Sequence, residues 1–147
     1  MADHLSKIER QKLMSSIKGK DTRPEILVRR IIHGAGFRFR LHQSDLPGRP
    51  DIVLSRYRLA IFVNGCFWHG HSCQRAKLPK SNKEFWHKKI ARNILRDTQN
   101  RRRLRQDGWS VYTIWTCSLG EGMRRVMRSL EKLRTQHDYK SRQSATK

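Results

Sequence analysis

Pro50-Asp51-Ile52-Val53-Leu54-Ser55-Arg56-Tyr57-Arg58-Leu59-Ala60-Ile61-Phe62-Val63 contains two apolar runs on either side of one polar turn. Residues 51–54 begin one strand, 55–58 turn the chain and 59–63 form the next. The second run is apolar throughout, the pattern of a central strand buried on both faces. Upstream, Phe37, Phe39 and Leu41 alternate with Arg38 and Arg40, which predicts a half-wet strand. Between them Leu46-Pro47-Gly48-Arg49-Pro50 is loop, since prolines cannot donate to a ladder. Downstream, Val111-Tyr112-Thr113-Ile114-Trp115 predicts a fourth strand.

Helices surround these strands. Thr22 followed three residues later by Glu25 forms a capping box, Pro24 is tolerated in a first turn, and Ile26, Leu27, Ile31 and Ile32 follow at helical spacing. The helix spans about 23–34 and stops at Gly34 and Gly36. A second, strongly basic helix spans about 83–106 and ends at Gly108. Met123, Val126, Met127, Leu130 and Leu133 mark an amphipathic C-terminal helix. The order is α-β-β-β-α-β-α, an α/β fold with one mixed sheet flanked by helices. Residues 1–20 read as a basic arm or short helix that orders on a partner. Residues 21–135 read as the domain, and 136–147 as a polar, disordered tail.

Lys+Arg number 33 against 12 Asp+Glu in 147 residues, a formal net charge of +21. Such a chain accumulates on polyanions by releasing their condensed counterions, which makes nucleic acid the first partner class. No apolar run approaches the roughly 20 residues of a membrane helix, and the N-terminus lacks the pattern of a secretory signal. Three cysteines, an odd number, argue against a disulfide set and fit a reducing cytoplasm.

The chemistry concentrates after the third strand. Four residues separate Cys66 from His71, one separates His71 from Cys73, and 43 separate Cys73 from Cys117, just past the fourth strand. Three thiolates and an imidazole suit tetrahedral zinc, structural because no position is left open. The competing reading is that the cysteines are small buried hydrophobes. Asp51, at a strand start beside a second strand, has the layout by which many nucleases hold Mg²⁺, although Pro-Asp also marks ordinary turns. His69 lies within the same loop. It is read either as a proton carrier with Glu25 behind it, as a solvated loop residue, or as the zinc ligand in place of His71. Phe67 and Trp68, with Trp86 on the basic helix, can wedge between base pairs or pack over the metal site.

Ile17-Lys18-Gly19-Lys20-Asp21-Thr22-Arg23-Pro24-Glu25, Leu46-Pro47-Gly48-Arg49-Pro50-Asp51 and Gly65-Cys66-Phe67-Trp68-His69-Gly70-His71-Ser72-Cys73 together resemble the very short patch repair (Vsr) endonucleases. Glu84-Phe85-Trp86, Gly108-Trp109 and Trp115-Thr116-Cys117 extend the resemblance over about residues 10–120. It implies a bacterial, restriction-endonuclease-like (PD-(D/E)xK-type) nuclease that nicks one DNA strand 5′ of the thymine of a T:G mismatch left by deamination of 5-methylcytosine. It implies that Asp51 binds catalytic Mg²⁺ with the backbone carbonyl of Val63, and that His69 is the general acid/base, oriented by Glu25. By the same resemblance Cys66, His71, Cys73 and Cys117 hold structural Zn²⁺. Phe67, Trp68 and Trp86 would wedge the mismatch, and Lys18, Lys20 and Arg23 on or beside the N-terminal arm would contact DNA. A second catalytic histidine of the family pattern is Asn64 here, and Asp97 matches the helix aspartate that pairs with it.

The expectation is therefore a mismatch-nicking endonuclease, monomeric on DNA, in the bacterial cytoplasm and nucleoid. Mismatch-repair proteins and a DNA polymerase would act downstream. The alternatives are a nuclease of this fold cleaving other duplex DNA, modified or unmethylated, a non-catalytic zinc-stabilised DNA- or RNA-binding module, and a basic ribosome-associated protein. Asp51, Glu25 and His69 favour an enzyme, because a module that only binds phosphate has no use for carboxylates aimed at it.

Overall fold

The computed structural model describes Ser6, Ile8, Glu9 and residues 21–146. The expected arm contacts Lys18 and Lys20 lie outside the described residues. Helix α1 (Arg23–Gly34) is followed by strands β1 (Arg40–Leu41), β2 (Ile52–Leu54) and β3 (Leu59–Asn64). Helix α2 (Lys83–Gln106), strand β4 (Ser110–Trp115) and helix α3 (Leu119–Ala145) complete the chain. The sheet order is β1-β2-β3-β4, with β1/β2 and β2/β3 antiparallel and β3/β4 parallel. A parallel pair requires a crossover, and α2 supplies it. β3 is the central buried strand that its unbroken apolar run requires.

The two faces of the sheet differ. Ile52, Leu54, Leu59, Ile61, Val63 and Ile114 join Val28, Ile32, Met123, Val126 and Leu130 in one core beneath α1 and α3. Because side chains alternate along a strand, Phe62 and Asn64 turn to the opposite face, where Asp97 and Asn100 of α2 meet them. Gly122 lets α3 approach the sheet closely: a Cβ there would lie 2.8 Å from Ile114 Cγ2.

Three expectations are corrected. The upstream strand begins only at Arg40, because Gly36 (φ +91°) and the bond from Phe37 N–H to Ile32 O tie residues 36–37 to the end of α1. Phe37 goes into the core under the guanidinium of Arg134, 4.4 Å from its ring centroid. The capping box is incomplete, since Thr22 makes no side-chain cap bond and Glu25 Oε2 instead accepts the N–H of Asp21 at 3.0 Å. Residues 136–145, expected as a disordered tail, continue α3, where bonds such as Ser141 Oγ to His137 O cap successive turns.

Candidate active site and metal centre

Parallel pairing of β3 and β4 sets Asn64 opposite Trp115, so the loop after β3 and the turn after β4 leave the same end of the sheet. The ligand atoms of Cys66, His71, Cys73 and Cys117 all lie within 4.8 Å of one another. The loop folds back locally through His71 N–H to Cys66 O at 3.0 Å, and His71 stacks on Trp115 at 4.2 Å. Burial works against ionisation of the Cys66 thiol. Hydrogen bonds with Thr116, the Cys117 backbone and the other two thiols outweigh it and bring the thiol down to about 6. A thiolate in a three-sulfur, one-nitrogen set is what a soft divalent ion takes, so this cluster can hold a metal.

Beside it opens a cleft of about 810 Å³ lined by Glu25, His42, Asp51, Asn64, His69 and Asp97, among others. Asp51 sits at the entry to β2, and its Oδ2 accepts the backbone N–H of Val63 at 2.7 Å. Burial pushes its carboxyl up to about 6; the Val63 bond lowers it, the charge of Glu25 raises it further, and His42 and His69 pull it back. A half-buried carboxylate facing another carboxylate is a place for a hard cation.

The histidine pairing differs from expectation. Nδ1 of His69 bonds Oδ2 of Asp97 at 2.5 Å, whereas Glu25, 3% exposed, bonds Arg29 at 3.2 Å and the Asp21 N–H. Asp97 is thus committed to His69 and not to position 64. Asn64, 4% exposed, lines the cleft with no hydrogen bond from its side chain among the described residues. His42 is the residue that sequence reasoning missed, with ring nitrogens 3.6 Å from Glu25 and 3.7 Å from Asp51. The hairpin register carried the signal: with Leu41 opposite Ile52, position 42 falls opposite 51.

Phe67, Trp68 and Trp86 form one edge-to-face cluster, with centroids 5.1–5.9 Å apart, and Asn93 holds the Trp68 carbonyl at 2.9 Å. Packing therefore accounts for much of this group. Trp86 is buried, and the exposed aromatic is its neighbour Phe85, at 57%. Arg23 stands exposed at the start of α1.

The family model that matches this chain is DNA mismatch endonuclease Vsr, over residues 2–75. The type II nicking enzyme V.XorIIP of Xanthomonas oryzae pv. oryzae is 48% identical over 121 residues, 82% of this chain and 89% of the relative. The type II nicking enzyme V.NmeAIP of Neisseria meningitidis is 43% identical over 119 residues, 81% of this chain and 85% of the relative. The DNA mismatch endonuclease Vsr of Escherichia coli K12 is 43% identical over 119 residues, 81% of this chain and 76% of that protein. Fold, cleft and likeness together define a DNA endonuclease. The chain belongs to the Vsr family, and its mixed four-stranded sheet with flanking helices is consistent with that family's restriction-endonuclease-like core.

Proposed function

We propose that this endonuclease nicks one strand 5′ of the thymine at T:G mismatches, using Mg²⁺ at Asp51 and a structural Zn²⁺. The observation that carries the reading is the single cleft in which a half-buried carboxylate, Asp51, faces a histidine–aspartate pair, His69–Asp97. Asp51 and the Val63 carbonyl are hard oxygen donors and fit Mg²⁺; Cys66, His71, Cys73 and Cys117 fit Zn²⁺. Mg²⁺, when bound, would polarise the scissile phosphate and lower the pKa of attacking water.

The chain's own residues do the rest. An ionised Asp97 can only accept, so Nδ1 of His69 carries a proton and Nε2 is left to take one from water or give one to a leaving oxygen. Asn64 cannot titrate, and its carboxamide, which lines the cleft, can donate to a phosphate oxygen. Glu25 acts at one remove, through Arg29 and the backbone of Asp21. Phe67 and Trp68, backed by Trp86, would press against the weakened pair, where unstacking costs least. Arg23, Lys18 and Lys20 supply phosphate contacts within a net charge of +21. Among the described residues no helix is long and apolar enough to cross a membrane. Because its substrate is DNA, we place the enzyme in the cytoplasm, as a monomer ahead of a repair polymerase.

The test is single-turnover nicking of labelled duplexes carrying T:G, T:A or C:G at one position, with and without Mg²⁺. Nicking confined to T:G supports the reading. Equal cleavage of paired duplexes would transfer it to a nuclease of other DNA, and binding without cleavage to a DNA-binding module.

A further inference from the structure

The inner face of α2 recurs at three- and four-residue steps. Trp86, Ile90 and Leu104 on it are buried, and between them Asn93, Asp97, Asn100 and Arg101 are half-buried. A helix face laid on a sheet is ordinarily apolar along its length. This one turns polar in its middle, where it meets Phe62 and Asn64 at the end of β3. Three of the four polar side chains are occupied there. Asn93 holds the Trp68 carbonyl at 2.9 Å, and Asp97 holds His69. Asn100 lies against Gly48, where an added Cβ would stand 3.0 Å from Asn100 Cβ. The fourth, Arg101, makes no hydrogen bond, ion pair or ring contact through its guanidinium among the described residues. Its ordinary partner one turn upstream would be Asp97, which is bonded to His69 instead. An arginine on the outer face of α2 would be satisfied by water, but a half-buried one gains from an anion brought to it.

Arg101 stands in the wall of a second pocket, about 250 Å³, with Gly70, Ser72, Ile94 and Trp115 among its neighbours. This pocket and the Asp51 cleft share His69 and Asp97 and no other lining residue. The histidine–aspartate pair is therefore the wall between them. Arg96, one residue before Asp97, lines the cleft; Arg101, one turn after it, lines the second pocket. The two arginines are five residues apart, about 7.5 Å along the helix axis. The carboxylate of the second pocket is Asp97, already engaged with an imidazole, so no free carboxylate opposes an anion at Arg101.

We infer that this second pocket is a subsite for the phosphodiester next to the scissile one, and that Arg101 is its anchor. The inference rests on the reading of the Asp51 cleft as the nicking site. A strand with its scissile phosphate between Asp51 and His69 passes over the His69–Asp97 pair and sets its neighbouring phosphate on Arg101. A guanidinium suits that task, because its planar fork can give two parallel hydrogen bonds to one phosphate. Held on both sides of His69, the strand is fixed in register against the working imidazole.

Binding measurements on the full chain test it without nicking. Affinity for a T:G duplex is read by fluorescence anisotropy without Mg²⁺, over a series of salt concentrations. Arg101→Gln should bind about 10-fold more weakly and lower the slope of log affinity against log salt by about 1. Arg101→Lys should keep the slope and lose part of the affinity, since an ammonium keeps the charge without the fork. Duplexes carrying one neutral methylphosphonate, moved position by position along the nicked strand, then locate the contact. The wild type should lose affinity at the phosphate beside the nick, and Arg101→Gln should lose nothing further there while still losing at the other contacted phosphates. An unchanged salt slope in Arg101→Gln would overturn the inference. So would further losses of wild-type size at every position, or a coupled phosphate that is not the neighbour of the nick. Wild-type protein that nicks paired duplexes as well as T:G would refute the proposed substrate and leave the Arg101 contact, read by binding, standing.

Discussion

His69 Nδ1 and Asp97 Oδ2 face each other at 2.5 Å across the gap between the loop after β3 and helix α2. With Asp97 ionised, the contact places the ring proton of His69 on Nδ1 and leaves Nε2 to accept. It also engages Oδ2 of Asp97 with His69 rather than with position 64, where the Asn64 side chain has no hydrogen bond among the described residues.

His69→Ala and Asp97→Asn should each lower the single-turnover nicking rate about 10²-fold or more, the usual scale of acid–base help. The double variant should be little worse than the slower single, because the two residues act as a unit. Asn64→His should bring no gain in rate, since its imidazole finds Asp97 already taken. Independent, multiplying losses from His69 and Asp97 would separate the two.

Asp51 gives a pH signature. In the folded chain it keeps its proton up to about pH 6, whereas the unfolded chain releases it near 3.8. Between those values the folded state binds more protons, so this group makes stability fall as pH rises from about 4 to 6 and stay level above. The full difference is about 3 kcal/mol. Asp51→Asn should remove that slope in urea denaturation without Mg²⁺, be the more stable protein at pH 7.5, and lose nicking entirely. A parallel pH–stability curve for the two proteins would show that burial does not load this carboxyl.

One zinc per chain should be found by metal analysis. Cys73→Ala should lower thermal stability severely and lose the ion, because metal affinity at a site assembled from distant segments is folding free energy. The effect should exceed that of an exposed helix substitution such as Lys88→Ala, whose ion pair with Glu84 is solvent-exposed. Fully folded wild-type protein without zinc would exclude a structural role for the ion.

Gly70 separates His69 from His71. Its φ is +63°, and an added Cβ would stand 2.4 Å from Ile94 Cδ1 and 2.9 Å from Ile90 Cγ2. Gly70→Ala should therefore cost about 1–3 kcal/mol by overpacking, with backbone strain in addition. It should slow nicking as well, since His69 and His71 are its chain neighbours. Ile94→Ala in the same chain should recover part of the stability, as measured by thermal unfolding.

Much of this was legible in the chain alone. The unbroken apolar run 59–63 required a central strand, and the basic segment 83–106 between two strands required a crossover helix, because each depends on local periodicity. The Cys66, His71, Cys73 and Cys117 set could be grouped from its residue types and its place beside two strand ends. Which carboxylate meets which histidine was not legible. Glu25, His42, His69 and Asp97 come from four separate segments; His42 has three carboxylates within 3.7 Å whereas His69 meets Asp97 at 2.5 Å, and the way α1 and α2 cross the sheet decides this. The same holds for Phe85 and Trp86, adjacent on α2 and so about 100° apart around it: the rotation of the helix against the sheet buries Trp86 and exposes Phe85. Local pattern determined the elements and their chemistry. Tertiary packing alone decided the pairings, because they depend on contacts between segments distant in sequence.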